Sequence, residues 1–159
     1  MVSYTISDAS SSSRINHNIG VIEWLYDNEP LIEAPRDSVG FVYVIHHPFT
    51  RRYYIGKKLL WSVKKLPPLK GRKNKRHKQV ETDWRDYWGS SDNLKRDLDT
   101  LGKENFVRTI IDFASTKGEL SYLEAKLQFE HDVLLDPLSY NGIINCKIHR
   151  NHLPKDLDI

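Results

Sequence analysis

Three segments have the residue pattern of β-strands. The run Gly40 to His46, GFVYVIH, is rich in β-branched and aromatic residues and is soon followed by Pro48, so it predicts a strand that ends in a turn. The next run, Arg52 to Lys57, predicts a second strand that pairs with the first as a short antiparallel hairpin across HPFTR. A third strand is expected from Phe106 to Asp112.

Two later segments have helical spacing. In the first, leucines recur at i, i+4 and i+7, with Ser90 or Ser91 as the cap and Gly102 as the stop. The second predicted helix runs from Gly118 to about Leu135 and ends before Pro137. Its apolar stripe consists of Leu120, Leu123, Leu127 and Leu134. The segment VIEWLYDNE favours neither helix nor strand, so the predicted order is strand, strand, helix, strand, helix.

The composition predicts one folded domain. A chain of 159 residues with 39% hydrophobic residues can bury a single core. We place the domain at residues 40–145, between a partly loose N-terminal extension at 1–39, whose first 18 residues contribute little, and a tail at 146–159. No run of apolar residues is long enough to span a membrane, and the single cysteine excludes an internal disulfide, so we expect a cytoplasmic protein.

Positive charge is concentrated in one segment. Residues 51–78 contain twelve Lys and Arg residues and no Asp or Glu, whereas the rest of the chain has 12 basic and 21 acidic residues and a formal charge of −9. A segment of one sign repels itself, and a polyanion offsets that repulsion. Nucleic acid is therefore the favoured partner. A solvated basic loop is the alternative, and a membrane surface is disfavoured because Pro67, Pro68 and Gly71 would interrupt an amphipathic helix.

We place the basic insert at about residues 58–82. The candidate nucleic-acid contacts are Lys58, Lys64, Lys65, Lys70, Arg72, Lys73, Lys75, Arg76 and Lys78, with Trp88 and Ser90 beyond the insert. Aromatic residues flank the insert, and they either stack on bases or anchor the insert to the core. These aromatic residues are Trp61, Trp84, Tyr87 and Trp88.

Four ordered motifs resemble those of the GIY-YIG nucleases. FVY at 41–43 and YIG at 54–56 resemble the signature that names the family, with its first two positions altered. WGSSDNLKRDLDTLGKENFVRTII resembles the helix-turn-strand portion of phage homing-type members, YLEAKL resembles the helix that carries the catalytic glutamate, and Tyr140-Asn141 resembles the terminal aromatic-Asn pair. The resemblance covers about residues 40–145. It implies an α+β fold, with a small three-stranded antiparallel sheet flanked by helices, and a divalent-metal-dependent endonuclease that hydrolyses phosphodiester bonds in DNA.

The resemblance also implies roles for individual residues. Glu124 would hold Mg²⁺ or Mn²⁺, which prefers oxygen ligands; the alternatives are a surface carboxylate paired with Lys117 or Lys126, and Glu130 as the competing acid. We expect Tyr43 to be the general base, with a pKa lowered by nearby lysines and arginines, or else a core tyrosine. Tyr54 would position the water or the phosphate.

The cation at the scissile phosphate departs from the family pattern. Many members carry an arginine on a helix soon after YIG, but prolines interrupt that stretch here. Lys57 is therefore preferred, followed by Lys58 and Arg85, with Arg76 in reserve. Acidic neighbours could instead neutralise Arg85. We expect Asn141 to donate hydrogen bonds that hold the site together, or to cap a turn.

Other interpretations of the sequence stay open. The altered first motif and the missing helix arginine favour, as the main alternative, a catalytically inactive nucleic-acid-binding module of the same fold. The basic insert alone would also suit a small RNA-binding protein, and no oligomeric state is indicated. Cys146, His149 and His152 are also residue types that bind zinc, although a fourth ligand is missing nearby. His46 and His47 either relay a proton near the site or serve only in a turn.

Overall fold

The computed structural model describes residues 23–155. The strands are β1 (Trp24–Tyr26), β2 (Glu29–Pro30), β3 (Gly40–His46), β4 (Tyr53–Leu59), β5 (Trp61–Leu66), β6 (Arg76–Glu81) and β7 (Val107–Ala114). The helices are α1 (Asp92–Leu101) and α2 (Lys117–Glu130). The expectation that residues 1–18 contribute little lies outside the described residues. No helix in the described range is long and apolar enough to cross a membrane.

The main sheet has five strands in the order β2-β1-β7-β3-β4. β3 pairs antiparallel with both β4 and β7, as the strand predictions require, and the β3–β4 hairpin is confirmed. The predicted three-stranded antiparallel sheet is wrong in strand number, because β1 adds parallel to β7 and β2 adds to β1. These two strands are only three and two residues long, too short to show a periodic pattern.

Trp24 ties the N-terminal strands to the rest of the fold. Its side chain is 1% exposed, and its indole Nε1 donates a hydrogen bond of 2.6 Å to the backbone oxygen of Trp84. Its ring also packs edge-on against Phe41 and Tyr43, at centroid distances of 5.0 Å. The folded unit therefore extends to Trp24 rather than beginning at residue 40.

The first predicted helix is confirmed together with its caps. The Ser91 side chain accepts a hydrogen bond from the backbone nitrogen of Leu94, and Gly102, with φ of 86°, ends the helix. A positive φ disfavours residues with a Cβ, so glycine is suited to this position.

The second helix ends at Glu130, earlier than the predicted Leu135. The chain turns at Asp132, which has a φ of 48°, and directs Val133 back into the core. Leu134 is consequently 53% exposed and does not belong to the buried stripe of the helix.

The sheet is covered on both faces, and every residue of β3 is buried. Successive β3 side chains point to opposite faces, so the strand supplies two separate apolar clusters. One cluster packs Phe41, Tyr43 and Ile45 against α1 and the tryptophans. The other cluster packs Val42 and Val44 against α2.

The basic insert forms a second, two-stranded sheet. β5 and β6 pair antiparallel from Trp61↔Glu81 to Leu66↔Arg76, and we call residues 61–81 the basic arm. The Trp61 indole Nε1 donates to the Ser38 backbone oxygen at 3.0 Å, and Trp84 is 1% exposed, so these two aromatic residues anchor the base of the arm to the core. Pro67 and Pro68 lie in the loop that joins the two strands, where they remove no ladder hydrogen bond.

The outer edge of β4 is covered by the segment after α2. The Tyr53 backbone nitrogen donates to the Leu138 oxygen at 3.1 Å, and the Tyr140 nitrogen donates to the Tyr53 oxygen at 2.7 Å. Two residues further along β4, the Asn141 side chain replaces the backbone partner. Its Oδ1 accepts from the Ile55 nitrogen at 2.9 Å, and its Nδ2 donates to the Ile55 oxygen at 2.8 Å. One side chain thus continues the ladder along this edge.

We predict that Asn141→Ala lowers the free energy of unfolding by about 1–3 kcal/mol, because it leaves the buried Ile55 nitrogen without its acceptor. Urea unfolding measures the loss. The exposed Asn145 provides a matched control in the same segment, and Asn145→Ala should change stability by less than about 0.5 kcal/mol. Equal effects of the two substitutions would show that the Asn141 bonds do not hold the edge.

Candidate active site

A cleft of about 670 Å³ opens at the covered edge of β4. β4, α2, the start of α1 and the segment around residue 141 all contribute to its lining. Of the residues singled out in the sequence, those that line the cleft are Tyr54, Lys57, Ser90, Glu124 and Asn141. The cleft therefore joins residues that are up to 87 positions apart in the sequence.

The position of β4 at the edge explains how both faces of one strand reach the same cleft. Tyr54 and Gly56 lie on the sheet face that carries Tyr43, because the register pairs Gly56 with Tyr43. Lys57 lies on the opposite face, against α2. In a central strand these two faces would be separated by the neighbouring strands.

Glu124 is the largely buried acid of the cleft. Its side chain is 13% exposed, and its Oε1 lies 3.5 Å from the Lys57 Nζ. Burial raises the pKa of Glu124 above its ordinary value, and the Lys57 ammonium partly offsets that rise. Lys57 also donates a hydrogen bond of 2.8 Å to the Ser121 hydroxyl.

The acids and cations predicted to compete with Glu124 lie elsewhere. Lys126, one of its two expected surface partners, has its Nζ 3.9 Å from the exposed Glu130. Neither Lys126 nor Glu130 lines the cleft, and the same holds for Lys117. Glu124 is therefore paired across to the neighbouring strand, not along its own helix.

Tyr54 presents its hydroxyl to the cleft. Its Oη lies 2.9 Å from the Ser90 Oγ, so Ser90 contributes to the site through the phenol. Burial is the largest influence on the pKa of Tyr54 and raises it above the ordinary value. The phenol therefore keeps its proton near neutral pH and has a hydrogen available to donate.

The expected lowering of the Tyr43 pKa is wrong. Tyr43 is 0% exposed and is not part of the cleft lining. Burial raises its pKa well above the ordinary value, and the nearby phenols of Tyr87 and Tyr54 add to the rise. The strand cations do not reverse this shift, because Lys58 is neutralised by Asp83 at 2.6 Å and burial dominates.

Gly56 allows the two phenols to pack against the strand. A Cβ at this position would lie 2.5 Å from the Tyr43 hydroxyl and 2.8 Å from the Tyr54 Cε1, closer than real Cβ atoms approach other groups. Within residues 23–155 no group forms a hydrogen bond of normal geometry with the Tyr43 hydroxyl. The lack of a side chain at Gly56 therefore leaves room for Tyr43 to pack behind Tyr54.

Arg85 lies outside the cleft, contrary to its predicted catalytic position. Its Nη1 donates to the Ile32 backbone oxygen, and its Nε is 3.6 Å from Glu81. Its guanidinium also stacks 4.5 Å from the Trp84 ring, beside a separate depression at the base of the basic arm. The alternative that acidic neighbours neutralise Arg85 holds for Glu81.

Two other predicted contacts are also engaged within the protein. The Lys58 Nζ lies 4.0 Å from the centroid of the Tyr87 ring, in addition to its pairing with Asp83. The Trp88 ring packs against the core, with the Arg108 guanidinium 4.2 Å from its centroid. The remaining candidates are exposed on the basic arm: Lys64, Lys65, Lys70, Arg72, Lys73, Lys75, Arg76 and Lys78.

The weaker metal and proton-relay candidates do not form a second site. Among the described residues, no group of three or more His, Cys, Asp or Glu side chains converges as a metal site, so the proposed set of Cys146, His149 and His152 is not assembled. The His47 Nδ1 lies 2.9 Å from the Thr50 hydroxyl and accepts from the Thr50 nitrogen, as expected for a turn residue. His46 is 3% exposed and does not line the cleft.

Several residues that line the cleft were not predicted as site residues, among them Asp92, Arg96 and Gln128. The sequence did carry a pattern for Gln128, because Ser121, Glu124 and Gln128 recur at i, i+3 and i+7 and therefore share one face of α2. Gln128 Nε2 donates to the Ile55 oxygen at 3.0 Å, beside the Asn141 bonds. Arg96 is an exposed residue of α1, and no spacing in the sequence distinguishes it from other surface arginines.

The arrangement is that of a GIY-YIG nuclease domain. It combines the β3–β4 hairpin, the helix α2 that carries Glu124, and Asn141. Residues 24–144 match a family model described as "Putative endonuclease segE, GIY-YIG domain". Since the match spans well over half of the chain, the chain belongs to this GIY-YIG endonuclease family. No curated protein and no solved structure gave a significant match.

We predict that Gly56→Ala lowers the free energy of unfolding by about 1–3 kcal/mol through overpacking against the phenols. Tyr43→Phe alone should cost little, since the hydroxyl has no hydrogen-bond partner among the described residues. In the double variant part of the Gly56→Ala cost should be recovered, because the closest clashing atom is gone. Urea unfolding of all four proteins gives the coupling. Additive effects would show that the hydroxyl does not abut Gly56.

We predict that Glu124→Gln leaves the free energy of unfolding at pH 7 unchanged or raises it. Because the folded-state pKa is raised, the folded chain holds the proton more tightly than the unfolded chain, and ionisation opposes folding as the pH rises. The advantage of glutamine should fade as the pH approaches about 4, the ordinary carboxyl range. Urea unfolding from pH 8 to pH 4 measures it, with the exposed Glu130→Gln as the control. A clear loss at pH 7 would identify a structural ion pair with Lys57.

Proposed function

We propose that the chain is an endonuclease that hydrolyses phosphodiester bonds in DNA with the help of Mg²⁺ or Mn²⁺. The observation that carries the proposal is the cleft, in which a buried carboxylate, a lysine and a phenol meet beside an open space large enough for a phosphodiester. Membership of a GIY-YIG endonuclease family supports the same reaction class.

The residues of the cleft fit a divalent cation. Glu124 offers carboxylate oxygens in a largely buried position, and Asp92 is a second carboxylate on the lining. Mg²⁺ commonly binds through one or two carboxylates and takes its remaining ligands from water and phosphate. When bound, the ion would supply charge stabilisation at the phosphate and an activated water. Because burial raises the pKa of Glu124, binding of a cation there would also favour the ionised carboxylate.

Lys57 and Arg96 are the cations that line the cleft within the described residues. The Lys57 ammonium favours the ionised form of Glu124 and is held by the Ser121 hydroxyl, so its position is fixed before substrate arrives. We assign Lys57 to the scissile phosphate, where a fixed positive charge stabilises the charge that develops during cleavage. Arg96 is exposed at the rim and is assigned to a neighbouring phosphate.

The two tyrosines take different parts in this proposal. Tyr54 lines the cleft with a protonated hydroxyl, so it donates a hydrogen bond to the water or to a phosphate oxygen. Tyr43 is a positioning residue, because it is buried behind Tyr54 with a ring-centroid distance of 6.2 Å. The proposal therefore does not use a lowered tyrosine pKa.

One observation favours the second candidate, a nucleic-acid-binding module without activity. Tyr43, the predicted general base, is buried and does not line the cleft, and the Tyr54 phenol has a raised pKa, so neither tyrosine supplies a base at neutral pH. Such a module would bind DNA through the basic arm and leave it intact in the presence of either cation.

We predict that the chain nicks or cuts plasmid DNA only when Mg²⁺ or Mn²⁺ is present, and that Glu124→Gln slows cleavage roughly 100-fold or more. Binding of the plasmid should persist in that variant, because the basic arm is unchanged. Agarose-gel conversion of supercoiled plasmid measures cleavage, and filter binding in EDTA measures affinity.

Glu130→Gln is the matched control, since it changes the same residue type on the same helix outside the cleft. It should retain wild-type cleavage. Binding without cleavage by the wild-type chain, with both cations and with single-stranded, duplex DNA and RNA substrates, would support the inactive module. Equal loss in both variants would contradict the role given to Glu124.

A further inference from the structure

One face of the basic arm has no ion-pair partner within residues 23–155. Side chains alternate along each strand, and directly paired residues point the same way, so β5 and β6 present two composite faces. The first face, which we call the cationic face, consists of Ser62, Lys64, Leu66, Arg76, Lys78 and Val80. It carries three positive charges and no acid.

Near the base of the arm, the opposite face points toward the rest of the protein. It carries Glu81, whose carboxylate lies 3.6 Å from the Arg85 Nε. Trp61, Gln79 and Glu81 border the depression that Arg85 also lines. The opposite face is therefore partly occupied and partly neutralised. Among the described residues, the cationic face has no acidic partner, and its Arg76 Nε donates only to the Pro67 backbone oxygen of the arm itself, at 3.3 Å.

The pairing on the cationic face is unfavourable in the isolated protein. Lys64 lies directly opposite Lys78, and like charges in directly opposed strand positions are destabilising. Both strands are exposed through most of their length, so apolar burial does not compensate for this repulsion. A densely charged polyanion on this face would remove it.

The dimensions of the arm match one nucleic-acid groove. Each strand has six residues, which corresponds to a ribbon about 20 Å long and two strands wide. The major groove of B-form DNA, about 12 Å wide, admits a two-stranded β-ribbon, whereas the major groove of A-form RNA is too deep and narrow for side chains to read.

The base of the arm is fixed to the strand that lines the cleft. β4 leads into β5 through Leu60, which is 0% exposed, and the Thr82 nitrogen donates to the Leu60 oxygen at 2.9 Å. Lys57 and Lys64 are seven residues apart, so their Cα atoms are at most about 25 Å from each other. This separation is shorter than one helical turn of DNA, about 34–36 Å.

We propose that the cationic face of the basic arm enters the major groove of duplex DNA within one helical turn of the phosphate that is cut. This inference rests on the proposed nuclease function for the position of the cut, but groove binding itself does not require cleavage. Lys64, Arg76 and Lys78 are long donors that reach guanine N7 and O6 or flanking phosphates from such a position. The arm thus selects duplex DNA over single strands and RNA.

The test uses the full chain with Glu124→Gln in EDTA, so that binding is measured without cleavage. Anisotropy on a 30-bp duplex, its single strands and an RNA duplex gives the preference, and methylation at guanine N7 before binding reports contact in the major groove. We expect tighter binding to the DNA duplex, with interference confined to guanines within one turn of the cut mapped with the active chain.

Paired variants test the face assignment. Lys64→Ser with Lys78→Ser should lower duplex affinity about 10-fold or more at 0.15 M salt, reduce the salt slope by about 2, and abolish the interference. Lys65→Ser with Lys75→Ser removes the same charge from the same arm outside the cationic face and should leave the interference pattern intact. Thermal unfolding at or above the wild-type temperature in both double variants excludes misfolding as the cause, and the loss of the Lys64–Lys78 repulsion should raise it in the first.

The proposal is overturned if N7 methylation has no effect, if single strands or RNA bind as tightly as duplex DNA, or if both double variants lose the interference equally. These outcomes are separate from failure of the nuclease proposal. Plasmid cleavage without N7 interference would retain the enzyme and reject the groove contact, whereas interference without cleavage would retain groove binding and reject the enzyme.

Discussion

The structure depends on how the exposed edge of β4 is closed. An edge strand leaves its backbone groups unpaired, and here the Asn141 amide satisfies both the nitrogen and the oxygen of Ile55. This pairing brings the segment around residue 141 beside α2, where Gln128 also bonds to Ile55. The cleft is the space between β4 and these two covering elements. The contacts that cover the edge of β4 therefore also shape the cleft.

The position of β4 at the edge of the sheet also explains how side chains from both of its faces reach the cleft. Tyr54 comes from the face of β4 that packs on the aromatic cluster, and Lys57 comes from the face that packs on α2. On the first face the buried ring of Tyr43 packs behind Tyr54, and on the second the Glu124 carboxylate lies beside Lys57. Burial raises the pKa of both acidic groups, and a bound cation, which favours the ionised carboxylate, would oppose that rise at Glu124.

The sequence predicted the elements that carry strong local patterns. The β3–β4 hairpin and α1 with its Ser91 and Gly102 caps were confirmed, and Tyr54, Lys57, Glu124 and Asn141 do line one cleft. The catalytic roles of these residues stay predictions. The prediction that residues so far apart in the sequence share one site came from the family resemblance, because periodicity alone does not relate Glu124 to Tyr54.

What the sequence could not predict depends on tertiary contacts. Strands of two or three residues have no period, so the addition of β1 parallel to β7 was not visible. Whether a charged side chain is free to bind substrate depends on its neighbours in space. Arg85 pairs with Glu81 and stacks on Trp84, and Lys58 pairs with Asp83. The pKa of Tyr43 was predicted to be lowered but is raised, because the effect of burial outweighs that of nearby positive charge.

In the proposed reaction, the cation and the phosphate meet at the edge of β4. Paramagnetic broadening of backbone amide signals during titration of the full chain with Mn²⁺ tests this location directly, without requiring turnover. Broadening should centre on residues 54–57 and on Glu124, and Glu124→Gln should remove it. Broadening centred away from the cleft, for example at the exposed Asp99 of α1, or persisting unchanged in Glu124→Gln, would show that the cation does not bind at this edge.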